Sequence, residues 1–127
     1  PSKGLWTCIP HIAKDHSVFD GLQDSGFLRN TYENIWPQKS LRDIKVNGLR
    51  IKEKPIVASI AFDWFSKGHK MGYQGPGSSW WGADMTFIPV RKGHYLVSQF
   101  QLLENLGKDP VADKMLFNII TFLSTPN

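Results

Sequence analysis

From Ile56 to Phe65 the chain is almost unbroken apolar sequence, introduced by Pro55. A run of this length, rich in β-branched and aromatic side chains, reads as a strand covered on both faces. Such a strand is central by necessity: it needs strands beside it and a further layer packed over it. The 127 residues suit one domain covering 1–127, large enough to bury about two-thirds of its unfolded surface.

The neighbours of that strand are legible. Met85–Val90 and His94–Phe100 flank Arg91-Lys92-Gly93 and predict a hairpin beside it. Pro89 cannot donate a ladder bond, which assigns the first arm an edge or bulged position. Ser40–Val46 and Leu49–Lys52 surround Asn47-Gly48, a strong two-residue turn signal, and predict a second hairpin. Leu5 to Pro10, an apolar run ended by proline, reads as a short strand or an extended lead-in, and Val18 to Leu22 as a short helical turn stopped at Gly21. Phe27 to Trp36, closed by Pro37, leaves its type open.

The last element carries the fullest set of helix signals. Asp109 suits the N-cap, Pro110 the first helical position and Asp113 the positive end of the dipole. Val111, Met115, Ile119, Phe122 and Leu123 recur at helical spacing as one apolar stripe, and Pro126 ends the segment. A helix over Asp109–Leu123 is therefore expected to cover one face of the sheet.

Ser66 to Gly82 holds five of the chain's eleven glycines and fits neither period, so it reads as a long loop. Loops of that length in a compact domain are usually functional or disordered. Met71, Tyr73, Trp80 and Trp81 argue for order, with the aromatics docked on something. Trp64, Tyr73, Trp80 and Trp81 together could form a platform for stacking sugar rings. Against this, neighbours on an extended segment point to opposite sides, so Trp80 and Trp81 cannot both face one ligand. Packing, with one ring inward and one on a neighbouring domain, is the favoured reading. Asp63 and Asp84 stand at the edges of the loop among apolar residues. They are candidates for a facing carboxylate pair or, more commonly for such aspartates, for tying the loop down by accepting backbone N–H bonds.

Charge and composition exclude several classes. The net charge of +4 comes from 15 basic and 11 acidic side chains that are interleaved, as Lys39, Arg42, Lys45, Arg50, Lys52 and Lys54 alternate with Asp43, Glu53 and apolar residues. A nucleic-acid surface needs a contiguous basic stripe and a reading motif, so no nucleic-acid partner is expected. No apolar run is long enough to span a bilayer. Cys8 is the single cysteine; it forms no internal disulfide, lacks a glycine-flanked elbow and reads as a small buried hydrophobe. His11, His16, His69 and His94 have no zinc-motif spacing and read as surface or capping residues. Neither a metal nor a cofactor is called for, and no catalytic residue is assigned.

Three segments resemble a family. Asp15 to Leu22 is similar to the "DHPIFDGLP" signature of glutamine-amidotransferase-like (ThuA-like) domains, with Ser17 where proline is usual. Trp80-Trp81-Gly82-Ala83-Asp84, and Gly93 to Ser98 continuing through Leu103 to Asp113, resemble the version attached to bacterial beta-galactosidase-type enzymes of glycoside hydrolase family two. The resemblance spans about Trp6 to Leu123. It implies an α/β fold, the later part of a flavodoxin-like (class I glutamine-amidotransferase-like) mixed sheet with a C-terminal packing helix. It also implies a non-catalytic accessory domain, periplasmic or extracellular, in carbohydrate degradation. The amidotransferase nucleophile, a cysteine on an elbow with His and Glu partners, has no counterpart here. Its partners would be the other domains of the parent glycosidase, with glycan binding through the Trp80/Trp81 loop as the alternative. The opening Pro1-Ser2-Lys3-Gly4 reads as a cut into a longer polypeptide. If upstream strands are absent, an unpaired sheet edge and the Trp80/Trp81 surface are expected to promote self-association.

Overall fold

The computed structural model describes residues 7–8, 11–22, 26–50, 54–63 and 78–125. Trp64, Tyr73, His69 and the glycine-rich stretch between Ser66 and Gly77 lie outside the described residues, as does Pro126. Among the described residues there are seven strands: β1 (Thr7–Cys8), β2 (His11–Ala13), β3 (Lys45–Val46), β4 (Leu49–Arg50), β5 (Lys54–Asp63), β6 (Ser78–Val90) and β7 (Gly93–Ser98). The described residues also include the α-helix α1 (Pro110–Ser124) and 3-10 turns over Ser17–Phe19, Asn30–Ile35 and Leu103–Asn105.

The main sheet is built on β5, as the apolar run requires. β6 pairs along one side of it, and β1 and β2 follow each other along the other, with Cys8 opposite Phe62 and His11 opposite Ser59. β7 pairs with the far side of β6. Every pair among the described strands is antiparallel, so the fold is a mixed α/β one with an antiparallel sheet rather than the mixed sheet expected. The two-residue Arg91-Lys92 turn explains this for β6 and β7, since parallel neighbours need a long crossover.

β6 corrects one expectation outright. It is 13 residues long and begins at Ser78, so that Ser78 to Gly82, the end of the segment assigned to the loop, is strand. Gly82 serves close approach here. A Cβ at that position would sit 2.7 Å from Ser40 Cβ and 3.0 Å from the Leu41 carbonyl oxygen. The 40–42 segment lies antiparallel beside β6 there, held by a reciprocal pair. Leu41 N–H donates to the Ala83 oxygen at 2.8 Å, and Ala83 N–H to the Leu41 oxygen at 2.9 Å.

Hairpins form at both positions where turn chemistry placed them. β3 and β4 pair Lys45 with Arg50 and Val46 with Leu49 about Asn47 and Gly48 at φ 51° and 77°; positive φ at both positions is the type I′ requirement. β7 ends at Ser98 rather than Phe100. Pro89 pairs with His94 beyond the last β5 partner of β6, Phe87 opposite Lys54. Its missing N–H thus faces no described strand.

α1 begins as its caps dictate, with Asp109 Oδ1 accepting the Val111 N–H at 2.9 Å. Ala112, Met115 and Ile119 are buried, while Leu123 is 41% exposed, contrary to the stripe. Leu123 lies roughly 100° round the helix from Phe122, whose ring meets Phe87 at 5.6 Å. The helix rests chiefly on the Ser17–Phe19 turn. There Asn118, buried on the apolar face, donates to the Val18 and Asp20 carbonyls at 3.0 and 2.9 Å. One core joins helix, turns and sheet through Val18, Phe19, Tyr32, Val57, Met85, Met115 and Ile119.

His16 caps the Ser17–Phe19 turn, its Nδ1 accepting the Val18 N–H at 3.2 Å, and its ring lies edge-on to Phe122 at 4.6 Å. Burial lowers its pKa from 6.5, against the opposing pull of Asp20 and Asp15. The cap needs an unprotonated Nδ1, which agrees with the shift. A folded state that binds this proton more weakly than the unfolded chain is stabilised by rising pH. The contribution is complete above about pH 6.5, the unfolded value, and declines as pH falls below it toward the folded value. Thermal unfolding between pH 7.5 and 5.0 is expected to show this decline. His16→Asn, which retains a capping acceptor, should flatten it; an unchanged slope would assign the effect elsewhere.

Candidate functional site

The densest polar chemistry among the described residues gathers around Asp84. Val57 of β5 stands opposite Met85 and Ala58 opposite Ala83, so Asp84 is an extra residue on β6 at a bulge. Bulges redirect a side chain out of the regular alternation. The redirected carboxylate is fully buried. Its Oδ2 accepts from His11 Nδ1 at 2.8 Å. Its Oδ1 accepts from Ser40 Oγ at 2.9 Å and Ser59 Oγ at 3.1 Å. The two hydroxyls are also 2.8 Å apart.

Each partner arrives for a local reason. His11 and Ser59 are register partners across β2 and β5, and Ser59 is in turn opposite Gly82. The missing Cβ of Gly82 leaves the space into which Ser40 descends. Three separate segments thus converge on one carboxylate carried by a fourth. His11 stacks on Trp36, ring centroids 5.9 Å apart. Nearby in sequence, Trp36 Nε1 and Thr86 Oγ1 are buried without a hydrogen-bond partner among the described residues.

Serine, histidine and aspartate together invite a hydrolytic reading, and the geometry argues against it. A triad needs the serine hydroxyl on the imidazole and the carboxylate behind it. Here both serines and the histidine bond to the carboxylate itself, and all four side chains are buried. With the carboxylate accepting, His11 Nδ1 carries the proton, so the set is a closed lock on the sheet rather than an exposed nucleophile. Among the described residues no three His, Cys, Asp or Glu side chains come together as a metal site. His11 is thereby moved from the surface, where the sequence put it, to the interior.

The other expected site residues divide. Asp63 ends β5 opposite Ser78, six residues before Asp84 on β6, which separates the two backbone positions by about 20 Å. That is too far for a facing carboxylate pair. Trp80 is opposite Ala61 and Trp81 opposite Ile60 within the β5–β6 ladder. Trp81 is 53% exposed, as expected of a ring turned away from the Gly82 side of the strand. It borders a small cleft of about 60 Å³ with Leu41, Arg42, Asp43 and Arg50. Asp43 and Arg50 form an exposed ion pair there at 3.1 Å. No family model, curated protein or solved structure matches this chain.

Proposed function

We propose that this chain is a non-catalytic accessory domain of a glycoside hydrolase, the kind attached to beta-galactosidase-type enzymes of family two, and that it is the later part of a glutamine-amidotransferase-like unit of flavodoxin-like descent. The observation that carries the reading is the inward closure of the Ser/His/Asp cluster found among the described residues, which leaves that cluster no hydroxyl to attack a substrate. The order of the segments at Asp15–Leu22, Trp80–Asp84 and Gly93–Asp113 supplies the family resemblance. The first forms a capped turn with Val18 and Phe19 buried, the second is the core of β6, and the third leads into the N-cap of α1. Each works as framework. Paired catalytic carboxylates would belong to another domain of the parent enzyme, in a periplasmic or extracellular setting. Among the described residues no helix is long and apolar enough to cross a membrane.

A second reading, an independent carbohydrate-binding module, draws support from Trp81. Its exposed ring offers a stacking face. The neighbouring Asp43–Arg50 pair offers acceptors and donors suited to sugar hydroxyls.

The isolated chain is expected to hydrolyse neither nitrophenyl galactosides nor glutamine. Turnover that is lost in His11→Ala, with the circular dichroism of the fold retained, would overturn the accessory reading. Binding on a glycan array that is lost in Trp81→Ala would replace it with the module.

A further inference from the structure

β7 ends the main sheet, and among the described residues no strand pairs with its outer edge. Its inner edge is fixed by the turn that makes Val90 and Gly93 the closing pair. Hydrogen-bonded pairs alternate from there, giving Gly93, Tyr95 and Val97 to β6. Gln99 N–H, donating to the Asp84 oxygen at 2.8 Å, continues the same alternation. His94, Leu96 and Ser98 therefore turn their backbone N–H and C=O groups outward.

Edges of this kind are normally guarded by charge, proline or a bulge. None guards this one: from Gly93 to Leu103 there is no charged residue and no proline, and Tyr95 is 64% exposed. The charges lie instead at the two ends. Arg91 and Lys92 form the exposed turn before β7, and exposed Glu104 follows it in the Leu103–Asn105 turn. Lys108 Nζ bonds the Glu104 backbone carbonyl rather than its carboxylate. Beside the second half of β7 runs a groove of about 460 Å³, in which Leu96, Phe100, Leu103 and Ile119 are joined by Gln101 and Glu104.

We propose that a second copy of this chain occupies the edge, its β7 antiparallel to the first about a twofold axis through Leu96. A twofold interface must be complementary to itself, and a neutral strand with a basic turn before it and an acidic residue in the turn after it meets that condition. In the register centred on Leu96 all three outward positions are used, His94 against the partner's Ser98 and Leu96 against the partner's Leu96. The same register carries Arg91 and Lys92 alongside the partner's 100–101 segment, a few residues short of its Glu104. By symmetry this contact occurs twice. The two sheets then run on as one across the axis.

Sedimentation velocity over a concentration series, with amide hydrogen exchange at both ends of the range, tests the interface. The dimer is expected to grow with concentration while the amides of His94, Leu96 and Ser98 gain protection, slowing on the order of tenfold or more. His94→Pro removes an outward N–H and none from the β6 ladder, and should weaken association at least about tenfold. Because proline can disturb the strand, a charge pair provides a second arm. Glu104→Lys should weaken the dimer, and adding Arg91→Glu and Lys92→Glu to it should restore association. A monomer at every concentration overturns the proposal. So does a dimer that leaves those three amides unprotected, or one indifferent to Glu104→Lys.

Discussion

Replacing Asp84 by Ala is expected to destabilise the fold by about 3–5 kcal/mol, the range for removing one partner from a buried charged network. The substitution removes a single acceptor and strands donors from three segments at once. His11 Nδ1, Ser40 Oγ and Ser59 Oγ all lose their bond to the carboxylate. The two hydroxyls still have each other at 2.8 Å, so the histidine bears the larger part of the loss. Water is a poor remedy because the four side chains are buried, and an unmade buried bond costs its full desolvation. Asp84→Asn is the informative companion: it retains an acceptor oxygen for the serines and disturbs chiefly the histidine contact. Its cost should fall clearly below that of alanine. Urea unfolding at pH 7 measures both, and a loss under about 1 kcal/mol for Asp84→Ala would mean that the cluster does not hold the segments together.

This cluster also shows how far the sequence could be read. Period and turn chemistry announce themselves locally, and they placed β5, the β6–β7 hairpin, the Asn47-Gly48 turn and α1 with its cap. Ser59 was the single polar interruption well inside the apolar run. A hydroxyl at that depth needs a partner, and that need, with Asp84 standing among apolar residues, was the available signal of the network. The partners themselves were hidden by distance along the chain. Asp84 is 73 residues from His11 and 44 from Ser40, and only the bulge and the antiparallel pairing of Leu41 with Ala83 unite them. Glycine misled for a related reason. Gly82 looks like a loop residue in one dimension, yet its lack of a side chain is used by a neighbour in three. Asn118 repeats the lesson on α1: a polar residue on an apolar stripe marks the site where the helix is anchored to the Val18 and Asp20 carbonyls.

Met115→Ala is expected to cost about 2–5 kcal/mol, the span seen when a buried side chain of this size is truncated and the cavity only partly closes. Met115 is fully buried, and it sits in the one core that α1 shares with the Ser17–Phe19 turn and with Val57 and Met85 of the sheet. Its neighbours are held from several directions, β5 and β6 by their ladder and the turn by Asn118, so the cavity has little means of collapsing. Leu123→Ala is the contrast on the same helix. Both residues belong to the apolar stripe, but Leu123 is 41% exposed, and its truncation should fall within about 1 kcal/mol of the parent protein. Equal m-values for the two variants would show that helix and sheet unfold as one unit. A small loss for Met115→Ala accompanied by a falling m-value would instead mean that α1 detaches on its own, and the helix would then be an appendage to the sheet rather than a wall of its core.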